Sequence, residues 1–267
     1  MDHEHIFAAK GEPLGCNPDI TVRIETEGPP IHRRPYRVPL AKRKVLDAQL
    51  DDLLKQGIIE RSSSTWASLV VMVAKKDQQA APRFTGDHTA LNKQIRKDAY
   101  PIPLIRDIFD QLQGAKIFST LNLKSGFHQL PINPDDKEKT AFICHAGLFN
   151  WLRMPMGLTI ASARFQRAME KVLEGLLGKF ALLYIDDVII YTLNESEHVR
   201  HLGPFFERFE RYHLTFNRAK CVFGMAQVKL LGYIVSEKGQ SADPDKIAAI
   251  KRMQEPANVK KTRAFFG

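Results

Sequence analysis

The segment ALLYIDDVIIY, residues 181–191, places two adjacent carboxylates, Asp186 and Asp187, between two runs of apolar residues. The two runs are short and rich in aliphatic and aromatic residues, so they predict two buried strands that meet at the pair in a hairpin. A purely structural turn usually carries Asn-Gly or Asp-Gly, because both positions need positive φ and a second Asp tolerates this less well than Gly. From this segment alone, a solvated turn and a metal-binding carboxylate pair both remain open, since divalent cations favour clustered carboxylate oxygens.

The composition is that of a globular chain with a substantial core. The 267 residues are 44% hydrophobic and 26% charged, which suits one large or two modest domains. Cys16, Cys144 and Cys221 lie far apart and match no metal-ligand spacing, which disfavours a disulfide framework or a zinc site and predicts a reducing, intracellular setting. No segment approaches the roughly 18 consecutive apolar residues of a membrane span, so neither secretion nor membrane insertion is expected.

The positive charge is concentrated in one part of the chain. The net charge is +9, and residues 31–97 contain 14 Lys and Arg against 6 Asp and Glu, which is nearly the whole excess. A basic segment of this kind is typical of a surface that binds a polyanion, because each neutralised phosphate releases a condensed counterion. A merely solvated basic face is the alternative.

The chain contains both helical and extended patterns and has no internal repeat. Residues 1–30 predict a loosely structured lead-in, because a Gly-Pro-Pro sequence lies near their end. Apolar residues at helical spacing predict helices over 41–57, 103–114 and 159–178, and a capping box at Asn194 and Glu197 predicts the start of another. The order lacks strict βαβ alternation, so we expect an α+β fold in which helices back an antiparallel sheet.

Eight ordered stretches resemble the reverse transcriptase of gypsy-type long-terminal-repeat retrotransposons, an RNA-directed DNA polymerase of the retroviral superfamily that is part of a Pol polyprotein. They are PPIHRRPYRVPL, LLKQGIIERSSSTWASLVVMVAKKD, ALNKQIRKDAYPIP, SGFHQLPI, KTAFICHAGLFNWLRMPMGLT, RFQRAM, YIDDVIIY and LLGYIVS. The resemblance implies right-hand polymerase fingers over residues 31–116, a palm with an interleaved fingers segment over 117–235, and the start of a thumb or connection over 236–267. It also implies RNase H and integrase parts of the polyprotein, neither of which is expected within these residues.

The same resemblance implies template-directed nucleotidyl transfer with two Mg²⁺ ions, for which Mn²⁺ is a possible substitute. By resemblance, Asp186 is a metal ligand and Asp187 is its close partner at the tip of the palm hairpin. The implied partners are an RNA or DNA primer–template and deoxynucleoside triphosphates, and the implied location is a cytoplasmic particle or the nucleus.

Further site residues follow from the resemblance alone. Lys76 and Arg83 match the fingers positions that contact the incoming triphosphate, and Phe127 matches the aromatic residue that excludes a ribose 2′-hydroxyl by its bulk. The positions that match the template and nucleotide pocket are Met154, Pro155, Met156 and Gly157, and those that match the primer grip are Leu231, Gly232 and Tyr233. Trp66 and Trp151 are expected in the core.

One departure from the family pattern falls on the expected catalytic centre. The family's first palm motif reads Leu-Asp-Leu, whereas this chain has Leu121, Asn122 and Leu123. An Asn offers one neutral carbonyl oxygen where a charged carboxylate is required, so both ions lose a ligand and a unit of countercharge. Two hypotheses remain open: a reverse transcriptase impaired by Asn122, and a pseudoenzyme that binds nucleic acid without transferring nucleotides.

The other departures are spread over three segments. Gly86, His88 and Thr89 replace the usual Val, Tyr and Arg around Asp87, and Ile160 and Ser162 replace Asn and Pro. Gly203 and Pro204 interrupt an expected helix, and an interior Pro costs about 3 kcal/mol, so a kink or break is predicted there.

Overall fold

The computed structural model describes residues 3–9, 11–35, 38–73, 82–252, 258–259 and 262–263. The helices are α1 (Leu40–Lys55), α2 (Thr89–Gln94), α3 (Ile105–Gln111), α4 (Ala161–Val172), α5 (Glu195–Arg211) and α6 (Pro244–Lys251). The strands are β1 (Phe7–Ala8), β2 (Ile59–Arg61), β3 (Ser68–Val73), β4 (Arg83–Asp87), β5 (Ile117–Asn122), β6 (Phe142–Cys144), β7 (Gly147–Trp151), β8 (Ala181–Tyr184), β9 (Asp187–Thr192), β10 (Phe216–Asn217), β11 (Val222–Met225), β12 (Gln227–Leu230), β13 (Tyr233–Ser236) and β14 (Gly239–Ala242). In these ranges, no helix is both long enough and apolar enough to cross a bilayer.

A four-stranded antiparallel sheet, in the order β11-β5-β9-β8, carries the predicted hairpin. Side chains alternate between its two faces, as the pleat of a strand requires. Val188 and Ile190 of β9 belong to the larger core with α4 and α5, whereas Ile189 between them belongs to a second core with α3 and β12. The expectation of an antiparallel sheet backed by helices is therefore confirmed.

Helix α4 owes its position to the apolar stripe that its sequence predicts. Phe165, Met169 and Val172 are fully buried in the larger core, and the charged residues lie on the other side of the helix. Helix α3 buries Ile108 and Phe109 against the opposite face of the sheet. Both helices are shorter than predicted, because the chain continues beyond them in turns, with bonds such as those from the Leu176 amide to the Leu173 carbonyl oxygen at 2.9 Å and from the Leu112 amide to the Phe109 carbonyl oxygen at 3.1 Å.

A second sheet has five strands in the order β2-β7-β6-β3-β4, with one parallel pair between β3 and β6. Its strands come from both sides of β5, so a later segment of the chain returns to complete it. Trp66 and Trp151 are buried here, as expected. Helix α1 packs Leu46 and Leu50 against this sheet and is followed by Gly57 at φ +62°, where a residue without Cβ is favoured.

The lead-in differs from the loose segment that was predicted. It forms little regular structure, but Ile6, Val22 and Ile24 are buried in the larger core. Strand β1 pairs in parallel with β10, and isolated bridges attach the segment farther along. The Gly-Pro-Pro signal correctly indicated irregular backbone but gave no information about burial, because some packing partners of the lead-in, such as Phe216 for Phe7, lie more than 200 residues away.

Of the kink or break predicted at Gly203 and Pro204, the break does not occur, because α5 runs without interruption from Glu195 to Arg211. Phe205 and Phe209 lie one turn apart on the same face of this helix, and both are fully buried. Burying each ring contributes about 1.5–3 kcal/mol, which offsets the cost of about 3 kcal/mol for the interior Pro. The cap predicted at its start is confirmed, since the Asn194 side chain accepts a hydrogen bond from the Glu197 amide at 2.9 Å.

Candidate active site

The hairpin between β8 and β9 turns at Ile185 and Asp186, and Tyr184 pairs with Asp187. Only Ile185 has a positive φ, +55°, so the strained position precedes the two carboxylates instead of falling on them. A β-branched residue in this region costs on the order of 1–3 kcal/mol. The sequence placed both carboxylates in the turn, whereas the structure has Asp186 in the turn and Asp187 in the first position of β9.

Gln166 supports this strained turn from α4. Its Oε1 accepts a hydrogen bond from the Ile185 amide at 2.8 Å, and its Nε2 donates to Glu170 at 2.8 Å. The side chain is buried, so the turn amide would lose its partner if Gln166 were apolar. Sequence analysis missed Gln166, although a Gln between the buried Phe165 and Met169 was a detectable sign of a buried polar contact.

The two carboxylates have different surroundings. Asp186 is exposed at the tip, whereas Asp187 is half-buried and lies opposite Asn122 across β5 and β9. The Asn122 Nδ2 donates to Asp187 Oδ1 at 3.0 Å. Burial raises the pKa of Asp187 and the charge of Asp186 raises it further, while the Asn122 hydrogen bond and the charge of Lys220 lower it.

A cavity of about 260 Å³ opens beside Asp187 and Asn122. Its other walls come from β5, from Lys220 and from the end of β12: they are Thr120, Leu121, Lys220, Lys229, Leu230 and Leu231. Among the described residues, no three or more His, Cys, Asp or Glu side chains form a group that could hold a metal ion. Asp186, Asp187 and the Asn122 amide nevertheless supply oxygen donors of the kind that Mg²⁺ prefers.

The predicted primer grip reaches this cavity. Leu231 and Gly232 form the turn between β12 and β13 with φ values of +49° and +84°, the pattern of a two-residue hairpin turn that favours Gly. Leu231 lines the cavity, while Tyr233 packs edge-on against Phe109 at a ring distance of 5.1 Å. The structure thus brings Leu231 to the carboxylates and directs Tyr233 toward the second core.

A larger cavity of about 570 Å³ contains the predicted pocket residue Met156. Strand β4 contributes Phe84, Thr85 and Gly86, the loop after β5 contributes Lys124, Ser125 and His128, and the lead-in contributes Gly11, Glu12 and Leu14. The Lys124 Nζ donates to the main-chain oxygens of Ala9 and Glu12 at 2.6 and 2.7 Å. The lead-in therefore forms one wall of this cavity, which the sequence did not indicate.

Gly157 and Phe127 are held by residues on neighbouring helices. Gly157 has a φ of +92°, and its carbonyl oxygen accepts from the Asn92 Nδ2 at 2.8 Å. Phe127 is half-buried and packs edge-on against Phe165 at a ring distance of 5.1 Å. Phe127 is not among the described residues that line either cavity.

The two residues predicted to contact the triphosphate are Lys76 and Arg83. Lys76 lies outside the described residues, and so does the side chain of Arg83, whose backbone begins β4. Met154 is fully buried and Pro155 is buried beside it, so of the four predicted pocket residues only Met156 and Gly157 have exposed surface.

The departures around Asp87 form a connected pair. A Cβ on Gly86 would lie 2.6 Å from the His88 Nε2, so the imidazole occupies the space that a side chain at position 86 would need. His88 is 2% exposed, and neither of its ring nitrogens has a hydrogen-bond partner among the described residues. Burial lowers the pKa of His88 to about 4, with a smaller opposing effect from Asp87.

The two carboxylates lie on a hairpin of an antiparallel sheet that is backed by helices. A second sheet takes strands from before and after β5 in the chain. This is the architecture of a right-hand polymerase. The sequence matches the family described as reverse transcriptase (RNA-dependent DNA polymerase) over residues 73–235. This chain belongs to that family.

Individual relatives confirm the resemblance to gypsy-type elements. The retrovirus-related Pol polyprotein from transposon gypsy of Drosophila melanogaster is 37% identical over 266 residues, which cover 98% of this chain and 26% of that polyprotein. The transposon Tf2-7 polyprotein of Schizosaccharomyces pombe is 34% identical over 249 residues, which cover 93% of this chain and 18% of that polyprotein. The chain thus spans about a quarter or less of these curated relatives.

Solved structures confirm the fold. The foamy viral protease-reverse transcriptase in complex with an RNA/DNA hybrid superimposes with a TM-score of 0.90 at 23% identity, over 99% of this chain and 36% of that one. The same viral protein in complex with double-stranded DNA gives the same score and identity and is covered to 55%. At this identity the likeness shows the fold alone.

Proposed function

We propose that this chain is the polymerase domain of a retrotransposon polyprotein, that it extends a primer on an RNA or DNA template, and that Asn122 impairs this copy. The observation that carries the proposal is the pairing of Asn122 with Asp187 across β5 and β9. An aspartate at position 122 would place a third carboxylate about 3 Å from the Asp187 carboxylate, beside the hairpin. Such a group could bridge two cations, which an amide cannot do with its single neutral oxygen.

In this proposal Asp186 and Asp187 would hold Mg²⁺, and Mn²⁺ is the expected substitute. Bound there, the metal would lower the pKa of the primer 3′-hydroxyl and stabilise the charge that develops at the phosphorus. The chain itself supplies a half-buried carboxylate whose pKa is raised mainly by burial, which is the electrostatic environment in which an added cation is favourable. Asn122 satisfies one oxygen of that carboxylate but contributes no negative charge.

The larger cavity is the proposed nucleotide pocket. Met156 lies in its wall, and Lys124 supplies a cation there, whose position is held by the lead-in carbonyl oxygens. We further propose that Lys76 and Arg83 contact the triphosphate and that Phe127, which lies between the cavity residues Ser125 and His128 at the edge of this pocket, selects deoxynucleotides by its bulk. Because the Phe127 ring packs edge-on against Phe165, it cannot shift easily to admit a 2′-hydroxyl.

The second candidate is a pseudoenzyme that binds nucleic acid without extending it. The observation that favours it is the lack of a three-carboxylate group in the described part of the chain. Both candidates share the fold, the basic segment and the binding of a primer–template. They differ only in whether the hairpin carboxylates can complete a metal centre.

The substitution Asn122→Asp tests the proposal. Asn and Asp are nearly isosteric, so the fold should be kept, and the variant should extend a primer at least about a hundredfold faster than wild type with Mg²⁺. A hundredfold gain corresponds to about 2.7 kcal/mol of the barrier, a modest share of what a metal ion supplies. Single-nucleotide extension on a labelled primer–template measures this rate.

Asp186→Asn in the Asn122→Asp background is the control and should abolish the gain. With Mg²⁺ present to neutralise the added carboxylate beside Asp187, template binding and thermal unfolding should stay close to wild type in both variants. Efficient extension by wild type would mean that another residue supplies the missing ligand. A repaired chain that binds template and nucleotide but remains inactive would favour the pseudoenzyme and would point to another defect, such as Thr89 or Ile160.

A further inference from the structure

The turn between β12 and β13 is overlaid by a lysine from α6. If Gly232 carried a Cβ, that atom would lie 1.8 Å from the Lys246 Nζ and 2.7 Å from its Cε. The ammonium group therefore rests on the main chain of the turn, in the space that the missing side chain leaves open. Gly232 is favoured here for its φ of +84°, and its lack of a Cβ leaves the space that the flexible end of Lys246 occupies.

Lys229 of β12, the other lysine near this turn, already has two carboxylate partners. The Lys229 Nζ lies 3.2 Å from Asp243 Oδ1 and 2.6 Å from Asp245 Oδ2. Lys246 is exposed, and none of the described carboxylates forms an ion pair with it. The side chain of Lys246 influences Asp243 through its charge, while its backbone amide donates to the Asp243 carbonyl oxygen at 3.0 Å. Of these two cations beside the turn, Lys246 is thus the one left for an external anion.

The turn lies next to the carboxylate cavity. Leu230 and Leu231 line this cavity together with Asn122 and Asp187. In the proposed function the primer 3′ end lies at Asp187, and because Leu231 is a wall of the same cavity, the turn at Leu231 and Gly232 is within reach of the terminal nucleotides of the primer. A phosphate at that point would meet the Lys246 ammonium directly above the turn.

We infer that Lys246 binds a backbone phosphate of the primer strand at the turn formed by Leu231 and Gly232. The inference rests on the proposed function, because it requires a primer–template bound at the carboxylate hairpin. It adds a cationic ligand from α6 to a grip that the sequence predicted only from Leu231, Gly232 and Tyr233. A lysine that merely covers the turn would contribute nothing to the salt dependence of binding.

The test compares Lys246→Gln with Lys238→Gln, which removes a charge at the other end of β13, in the turn between β13 and β14. Fluorescence anisotropy measures binding to a recessed primer–template and to the single-stranded template alone, from 50 to 200 mM salt. Each phosphate contact contributes a slope of about 0.9 in log affinity against log salt. With the recessed duplex, Lys246→Gln should therefore lose about 3.5-fold less affinity over this range than wild type.

Lys238→Gln should keep the wild-type slope, and so should Lys246→Arg, which retains the charge. On the single-stranded template, Lys246→Gln and wild type should share one slope, since no primer strand passes the turn. Equal slopes for Lys246→Gln and wild type on the recessed duplex would overturn the inference. An equal change on both probes would also overturn it, because the lysine would then contact the template. If wild-type binding proved insensitive to salt, the proposed function itself would fail, which is a separate result.

Discussion

Gly86 and His88 show how two departures from a family pattern can depend on each other. The imidazole of His88 fills the volume beside the Gly86 Cα, so a Val at position 86 would require the ring to move. The buried ring then has no hydrogen-bond partner for either nitrogen among the described residues. Because desolvation penalises its charged form, His88 contributes to stability only while it is neutral.

The pH dependence of stability follows from this residue. The pKa of His88 is lowered from 6.5 to about 4 in the folded chain. Between these two pH values the imidazole is therefore mostly protonated in the unfolded chain and mostly neutral in the folded chain. The contribution is full above pH 6.5 and is lost as the pH falls toward 4. Between pH 7 and pH 5 the free energy of unfolding should fall by about 2 kcal/mol because of this group. Urea unfolding at the two pH values measures the change.

The variant His88→Phe should remove this part of the pH dependence and keep the ring packed. His32→Gln, at an exposed position, serves as the control and should behave like wild type. If His88→Phe loses as much stability as wild type between pH 7 and pH 5, the imidazole is not the group that titrates.

Helix α5 is the element in which local propensity and packing conflict. Pro204 cannot donate a backbone hydrogen bond to the carbonyl of Arg200, and Gly203 beside it is a poor helix former. The helix nevertheless continues because Phe205 and Phe209 are fully buried against the larger core. Gly203 and Pro204 therefore lower the stability of the fold, and replacing them should raise it.

Replacement of each interrupting residue should stabilise the chain. Pro204 is exposed, so Pro204→Ala should restore a backbone hydrogen bond and raise the free energy of unfolding by about 1–3 kcal/mol. A Cβ on Gly203 would meet nothing within 4 Å, so Gly203→Ala should add about 0.5–1 kcal/mol. Urea denaturation measures both values, and a destabilised Pro204→Ala would show that the helix depends on a bend at this point.

The whole molecule is held together by contacts between distant parts of the chain. The lead-in pairs β1 with β10, and Phe7 packs against the rings of Phe206, Phe216 and Phe223 at 5.5–5.8 Å between ring centroids. The same lead-in lines the proposed nucleotide pocket, where its carbonyl oxygens accept hydrogen bonds from Lys124. Loss of the lead-in should therefore affect both stability and the pocket.

Phe7→Ala should lower the free energy of unfolding by about 2 kcal/mol, less than for a fully buried ring because Phe7 is only half-buried. It should also expose the lead-in to limited proteolysis before the rest of the chain. Leu40→Ala is the control, since Leu40 is 77% exposed and should be close to neutral. Unchanged proteolysis of Phe7→Ala would show that other contacts hold the segment.

The sequence by itself determined the features that depend on short-range patterns. Apolar periodicity predicted the stripe of α4, two short apolar runs predicted the hairpin at Asp186 and Asp187, and Asn194 with Glu197 predicted the start of α5. Each of these is set by residues within one or two turns or one strand pair, so local physical chemistry is sufficient. The motifs also identified the family, which the comparisons confirm.

Only the tertiary structure decided the features that depend on distant partners. It placed Asn122 opposite Asp187, put Gln166 under the strained Ile185, and laid Lys246 across Gly232. It also kept α5 continuous through Pro204 and packed the lead-in that its sequence had left irregular. The physical reason is common to all of them: burial and pairing are determined by residues far apart in sequence, and their combined free energy outweighs the local preferences of any one segment.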